Sequence, residues 1–298
     1  HLHFEIRDKQ ERPMNPMLFG LDIKDTTKPE VYELFGYPLS EGSHINGVNS
    51  RVKIRLIKLA DGTYKTEQIT AFGKIGFGII STDRQDYASN KNGVSLIETT
   101  FNGAKSLEVD FKRFSFSETK HLNRYIDYGY FYETKKRIQK LFIDTNNPLK
   151  LLKNHQNQGI VSIEDNTNSV YKISVSDYKG NQSKLNIPII GLQKELPKAR
   201  IKTQVLQNII ASEETLLEKG LVKVQIYKDS FYEDVAIGFD VTNDTLKLHK
   251  ANIPLKKSMN INFDISQYKA TDKENLFIGS VSRYGNKLYY TSTKRRGD

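Results

Sequence analysis

Strict period-two alternation of apolar and polar residues, broken by turn signals, is the feature that most constrains this chain. In "NSRVKIRLIKLADGTYKTEQI", Val52, Ile54 and Leu56 alternate with Arg51, Lys53 and Arg55, and Asp61-Gly62 marks a tight turn. "SVYKISVSDYKGNQSKLNIPIIG" repeats the design. Tyr171, Ile173 and Val175 run up to "DYKGN", and Leu185, Ile187 and Ile189 return from it. Side chains of a strand alternate between faces, so each run buries one face and wets the other. Similar runs predict strands over 94–100, 106–116, 221–228, 233–240, 245–249, 258–264, 275–281 and 286–292. Many short strands with closely spaced turns predict an all-β fold built of β-sandwich, Ig-like domains.

Two stretches resist the pattern. "HLNRYIDYGYFYETKKRIQKLF" (121–142) suits a short helix or a long aromatic strand, and "VLQNIIASEETLLEKG" (205–220) has helical spacing around a turn-like "SEET". Boundaries come from composition. "DIKDTTKPE" (22–30) is polar, contains a proline and precedes a new apolar run; "LQKELPKARIKTQ" (192–204) is charged and separates two strand-rich blocks. We expect a remnant with linker at 1–28, a β-sandwich at 29–195 and a second, truncated sandwich at 196–298. A regular strand at residue 1 and a Gly-Asp turn signal at the other end lead us to expect a piece of a longer protein.

That first strand carries the most chemistry. In "HLHFEIRD", His1, His3, Glu5 and Arg7 fall on one face, and Leu2, Phe4 and Ile6 on the other. A rise of about 3.3 Å per residue sets the two histidines roughly 7 Å apart at their bases. Imidazoles this close can share a metal site, but on pattern alone HxH in a strand is a weak signal and a solvent-exposed histidine pair is the plainer reading. The other histidines (His44, His121, His155 and His249) lie far along the sequence. A catalytic zinc needs three protein ligands.

The run "HLHFEIRDKQERPMNPMLFG" resembles the last catalytic strand and exit loop of the lysostaphin-type zinc metallopeptidases, the peptidoglycan endopeptidase family. The likeness rests on the strand His1–Arg7, the polar turn "DKQER" and the exit from Asn15-Pro16 to Phe19-Gly20. The following "DIKDTTKPEVYELFGYPL" is similar to the segment joining such peptidases to β-sandwich domains in Bacteroidetes-type multidomain members. The resemblance covers about 28 residues. It implies a remnant of the peptidase β-sheet at 1–28, with His3 as a Zn²⁺ ligand. His1 would act beside the metal, as general base or by orienting the attacking water. The family's other ligands, a His and an Asp, have no match in this chain. By the same resemblance, the chain is the C-terminal part of a secreted zinc-dependent endopeptidase that hydrolyses peptide cross-links of peptidoglycan, inactive alone. It would be periplasmic or at the cell surface.

The rest of the chain is plainer. "RYIDYGYFYETKK" offers Tyr125, Tyr128, Tyr130, Phe131 and Tyr132, with Lys135 and Lys136, as a platform for sugar rings; core packing explains the same residues. "DNTN" and "DYKGN" carry oxygens of the kind Ca²⁺ takes, and Asx turns account for both. "GKIGFGII" lacks the Lys-Ser/Thr of a phosphate loop and reads as strand glycines at a bulge or tight contact. The terminal "RGD" is too short to weigh. The net charge of +10 is spread along the chain, without a basic stripe or a nucleic-acid module, so nucleic acid is not an expected partner. No stretch approaches the roughly 20 apolar residues of a membrane span. With no cysteine, disulfides and thiolate metal sites are excluded. The expected partner is peptidoglycan or another envelope polymer. The alternative is a non-catalytic β-sandwich protein for cell-envelope binding or adhesion.

Overall fold

A computed structural model describes residues 4–20, 23–196, 206–248, 252–282 and 287–296. The chain is all-β apart from short helical turns, and its buried apolar residues gather in two cores. His1, Leu2 and His3 lie outside the described residues, as do His249, most of the 192–204 segment and the last two residues of "RGD".

The larger core is enclosed by one curled sheet. Its main path runs through Leu152–Asn154, Ala104–Asp110, Leu96–Phe101, Asn168–Ser176, Gln182–Gly191, Ile69–Thr82, Glu30–Pro38 and Val52–Ile54. Ile69–Thr82 is the pivot. Its first residues pair in parallel with Ile189–Gly191, and its remainder pairs antiparallel with Glu30–Pro38. Between these halves stands Gly73, with φ +75. A side chain is strained in that conformation, and a Cβ there would also fall 2.9 Å from the Ser43 Cβ. The turn lets one strand serve both layers. Phe77 from its second half then meets Tyr171 of Asn168–Ser176 with ring centroids 4.6 Å apart. Both are fully buried, together with Leu34, Ile75, Ile97, Leu107 and Ile187. Each such side chain contributes about 1.5–3 kcal/mol of burial.

The alternation read from the sequence sets the register. Tyr171, Ile173 and Val175 face the core, as do Leu185, Ile187 and Ile189 across the hairpin. The first predicted hairpin is divided. Val52–Ile54 pairs with Glu30–Pro38, while Ile57–Lys58 pairs with Tyr64–Lys65 around the Asp61-Gly62 turn. The "GKIGFGII" glycines are strand glycines at close contacts: a Cβ on Gly76 would fall 2.4 Å from the Phe142 ring.

The 121–142 stretch folds as two short helices, Leu122–Tyr125 and Tyr128–Thr134, followed by the strand Gln139–Lys140. Asp127 caps the second helix by accepting the Tyr130 N–H. The 205–220 stretch becomes two strands, Gln207–Ile209 and Thr215–Lys219, because a turn closes between them at Ile210 and Glu213. The smaller core comprises Ile209, Leu217, Val222, Val224, Ile226, Phe231 and Ile237. It lies on the antiparallel set Thr215–Lys219, Val222–Ile226 and Asn260–Phe263. Of the predicted 275–281 strand, only Gly279–Val281 pairs, with Leu288–Tyr290.

At the N-terminal side, Ile6–Arg7 and Pro13–Met14 form a hairpin closed by Asp8, whose carboxylate accepts the Gln10 and Arg12 N–H groups. The hairpin is bonded to the larger body. Met14 bridges Arg113, the Phe114 N–H donates to the Pro13 carbonyl, and Arg113 reaches Asp8 at 3.3 Å. Phe4 remains 65% exposed.

Candidate metal centre

Three distant segments meet at one end of the large body. Residues 23–29 run along it before entering Glu30–Pro38. Their anchors are Tyr178 Oη donating to the Ile23 carbonyl, Asn181 Nδ2 to the Asp25 carbonyl, and Ser183 Oγ to the Pro29 carbonyl. Thr26 and Thr27 both donate to the Asp86 carboxylate. The second segment leaves Ile69–Thr82 at Asp83, whose backbone exchanges two hydrogen bonds with Asn92. The third is the "DYKGN" turn after Asn168–Ser176. There Asp177 Oδ1 accepts the Asn181 N–H at 2.9 Å, and Oδ2 accepts from Asn181 Nδ2 at 2.6 Å. An Asx-type turn therefore does explain this sequence locally. "DNTN" is also a self-bonded turn, with Thr167 Oγ1 donating to the Glu164 carbonyl.

Convergence of these segments puts Asp25, Asp83 and Asp177 together. All three are buried, and one carboxylate oxygen of each lies within 4.8 Å of those of the other two. Asp25 Oδ1 accepts the Thr27 N–H at 3.1 Å. Asp25 Oδ2 and Asp83 Oδ1 are sealed from solvent and have no hydrogen-bond donor. Lys179, two residues from Asp177, is a cation whose charge acts on Asp25. Burial pushes the Asp83 carboxyl up to about 6, opposed by a backbone N–H and reinforced by the charges of Asp177 and Asp25. Burial, with the neighbouring Asp177 and Asp86, likewise raises Asp25, opposed by the Thr27 N–H and the charge of Lys179. A cleft of about 550 Å³, bounded by Met14, Met17, Ile23, Phe114 and Tyr178, opens between the hairpin and this end of the body, with Asp83 on its wall.

These donors are all oxygens, the set hard divalent cations take; catalytic zinc sites in proteins are built mainly on imidazole or thiolate. Among the described residues, His44, His121 and His155 join no group of three metal-binding side chains. His1 and His3, the residues to which the resemblance gives the Zn²⁺ chemistry, lie outside the described residues.

The aromatic segment does not form a flat platform. Tyr125 is buried, Phe131 packs against the large core, and Tyr130 meets Phe35 edge-on at 5.3 Å with the Arg51 guanidinium 4.8 Å from its ring centre. The same region joins the two cores. His121, Arg124 and Asn146 contact Tyr232 and Glu233, beside a cleft of about 840 Å³.

Residues 207–297 match the family model of the Zu5-like domain. The segment that matches contains the whole smaller core and Tyr232, which bonds to His121 of the larger body. No curated protein and no solved structure matches the chain. Among the described residues, no helix is long and apolar enough to cross a membrane.

The Asp triad was out of reach of sequence reasoning. Only Asp177 stood in a stretch singled out for its oxygens; Asp25 sat in a stretch read as a linker, and Asp83 in no stretch that carried a motif.

Proposed function

We propose that this chain is the C-terminal part of a secreted zinc-dependent metalloendopeptidase that hydrolyses peptide cross-links of peptidoglycan. The β-rich body acts as the mount for the strand that bears His1 and His3. The observation that carries the reading is the run from His1 to Gly20. Its residues resemble the catalytic strand and exit of that peptidase family, and the part described forms a hairpin bonded to the body through Met14, Pro13 and Asp8. Three ties hold the Ile6–Met14 hairpin to the body. Rigid support of this kind is what a site needing sub-ångström placement of imidazoles requires. The body would contribute attachment and orientation, with peptidoglycan or another envelope polymer as its partner and the periplasm or cell surface as its location.

The test uses the full-length gene product and purified sacculi. Release of soluble cross-link fragments is expected, together with its abolition by chelation and by His3→Ala. This 298-residue chain alone should release nothing. Unchanged release from the His3→Ala protein overturns the reading, as does the absence of a His and an Asp ahead of His1 in the gene. Retention of this chain on sacculi, without hydrolysis by the full-length protein, would instead favour the non-catalytic binding protein.

A further inference from the structure

We propose that Asp25, Asp83 and Asp177 bind a calcium ion that ties residues 23–29 to the end of the β-rich body. The inference is independent of the endopeptidase reading and rests on three observations. First, the oxygens are held within 4.8 Å of one another. Donors that close can share one ion at about 2.4 Å each, a normal Ca²⁺–oxygen distance. Second, Asp25 Oδ2 and Asp83 Oδ1 are buried with no donor. A buried carboxylate oxygen ordinarily has a partner, and an orphan marks a missing one. Third, three acids are packed together in a buried setting, where mutual repulsion and desolvation favour the entry of a cation.

The local bonding is consistent with this role. Thr27 occupies the other oxygen of Asp25, and Asn181 orients Asp177 while also holding the Asp25 carbonyl. These bonds fix two carboxylates before any ion arrives, which lowers the ordering cost of binding. Water and backbone carbonyls would complete a shell of six to eight oxygens. Mg²⁺ demands a tighter octahedron and gives up its water reluctantly, so Ca²⁺ is the better match. The three ligands come from segments some 60 and 90 residues apart in the chain. The ion would therefore act as a clasp: residues 23–29 form the path between the N-terminal hairpin and the first core strand.

The experiment is a calcium titration of this 298-residue chain, followed by thermal unfolding and by Tb³⁺ luminescence sensitised by Tyr178, the neighbour of Asp177. Ca²⁺ at a hundred times its Kd is expected to raise Tm by about 5–10 °C over the EDTA-treated protein. Mg²⁺ should do less at equal concentration. Tb³⁺ emission should appear and be displaced by Ca²⁺. Asp83→Asn and, separately, Asp25→Asn should abolish both responses while leaving the circular dichroism spectrum unchanged. The proposal is overturned if the unsubstituted chain shows neither a Ca²⁺-dependent Tm nor Tb³⁺ emission, or if both variants keep the full Ca²⁺ shift. A triad that merely shares protons gives the first of these results, with Asp83→Asn raising Tm in EDTA. Neither readout depends on hydrolysis, so failure here leaves the endopeptidase reading standing, and the converse holds.

Discussion

His121 Nδ1 and Tyr232 Oη lie 2.6 Å apart, in a buried bond that joins the large body to the Zu5-like segment. Arg124 reinforces it through Glu233 at 2.7 Å, and Asn146 Nδ2 donates to the Tyr232 carbonyl. Burial, aided by Lys120 and Lys256 and opposed by Glu118, holds the His121 imidazole below its usual 6.5. The folded protein thus resists protonating a ring that the unfolded chain protonates freely. Stability from this source is fully present above pH 6.5 and is lost as pH falls below it. Urea unfolding at pH 7.5 and pH 5.5 should show the loss, and His121→Gln should reduce it. Tyr232→Phe should cost about 1 kcal/mol at pH 7.5, the usual worth of one hydrogen bond.

Glu108 gives a second pH dependence, at lower pH. Lys105 and Lys153 both donate to its carboxylate, and they hold it down to about 2 against the desolvation of partial burial. A depressed carboxylate stabilises the fold above its unfolded value near 4.5. The contribution vanishes as pH falls toward 2. Because the two lysines are partly exposed, water screens the pairs and the effect is on the order of 1–2 kcal/mol. Glu108→Gln should lower stability at pH 7 by that amount and leave it unchanged at pH 2. High salt should narrow the difference.

Much of the large body was legible in the sequence because its strands are wet on one face. Tyr171, Ile173 and Val175 could be assigned inward from alternation alone, and the structure buries each of them. Ile69–Thr82 was not legible as one strand. Both of its faces meet protein, so apolar residues and glycines run together without a period. Tyr128–Thr134 stayed open between helix and strand for a different reason: seven residues with four aromatics favour strand by propensity, and the Asp127 cap with tertiary packing decides for helix. The Asp triad depends on contacts between residues 25, 83 and 177, which no local pattern encodes.

Tyr125 supplies a test of how its buried segment is held together. The ring lies in the core near Phe111, and its hydroxyl is sealed from water with no partner. Burial alone raises its pKa far above the usual value for tyrosine. An orphaned hydroxyl incurs a desolvation cost without a compensating bond. Tyr125→Phe should therefore be neutral or stabilising, by up to about 1 kcal/mol, in chemical denaturation. Tyr125→Ala should cost on the order of 3–5 kcal/mol, as large aromatic deletions do. A marked loss in the Phe variant would show that the hydroxyl has a partner.

Gly191 closes the Gln182–Gly191 strand against the 164–167 turn. Its N–H donates to the Thr167 carbonyl at 2.7 Å, and its carbonyl accepts the Asn166 N–H at 2.9 Å. A Cβ on Gly191 would fall 1.8 Å from the Glu164 carbonyl oxygen. A flexible side chain can swing away from such a clash; a backbone carbonyl inside a bonded turn can move only by breaking that turn. Gly191→Ala should therefore destabilise by on the order of 2–4 kcal/mol. Gly103→Ala is the control for backbone effects, because nothing lies within 4 Å of a Cβ there and only its positive φ is strained. Its cost should be smaller, about 1–2 kcal/mol. If the two variants unfold at the same denaturant concentration, close approach of the backbone is not what selects glycine at position 191.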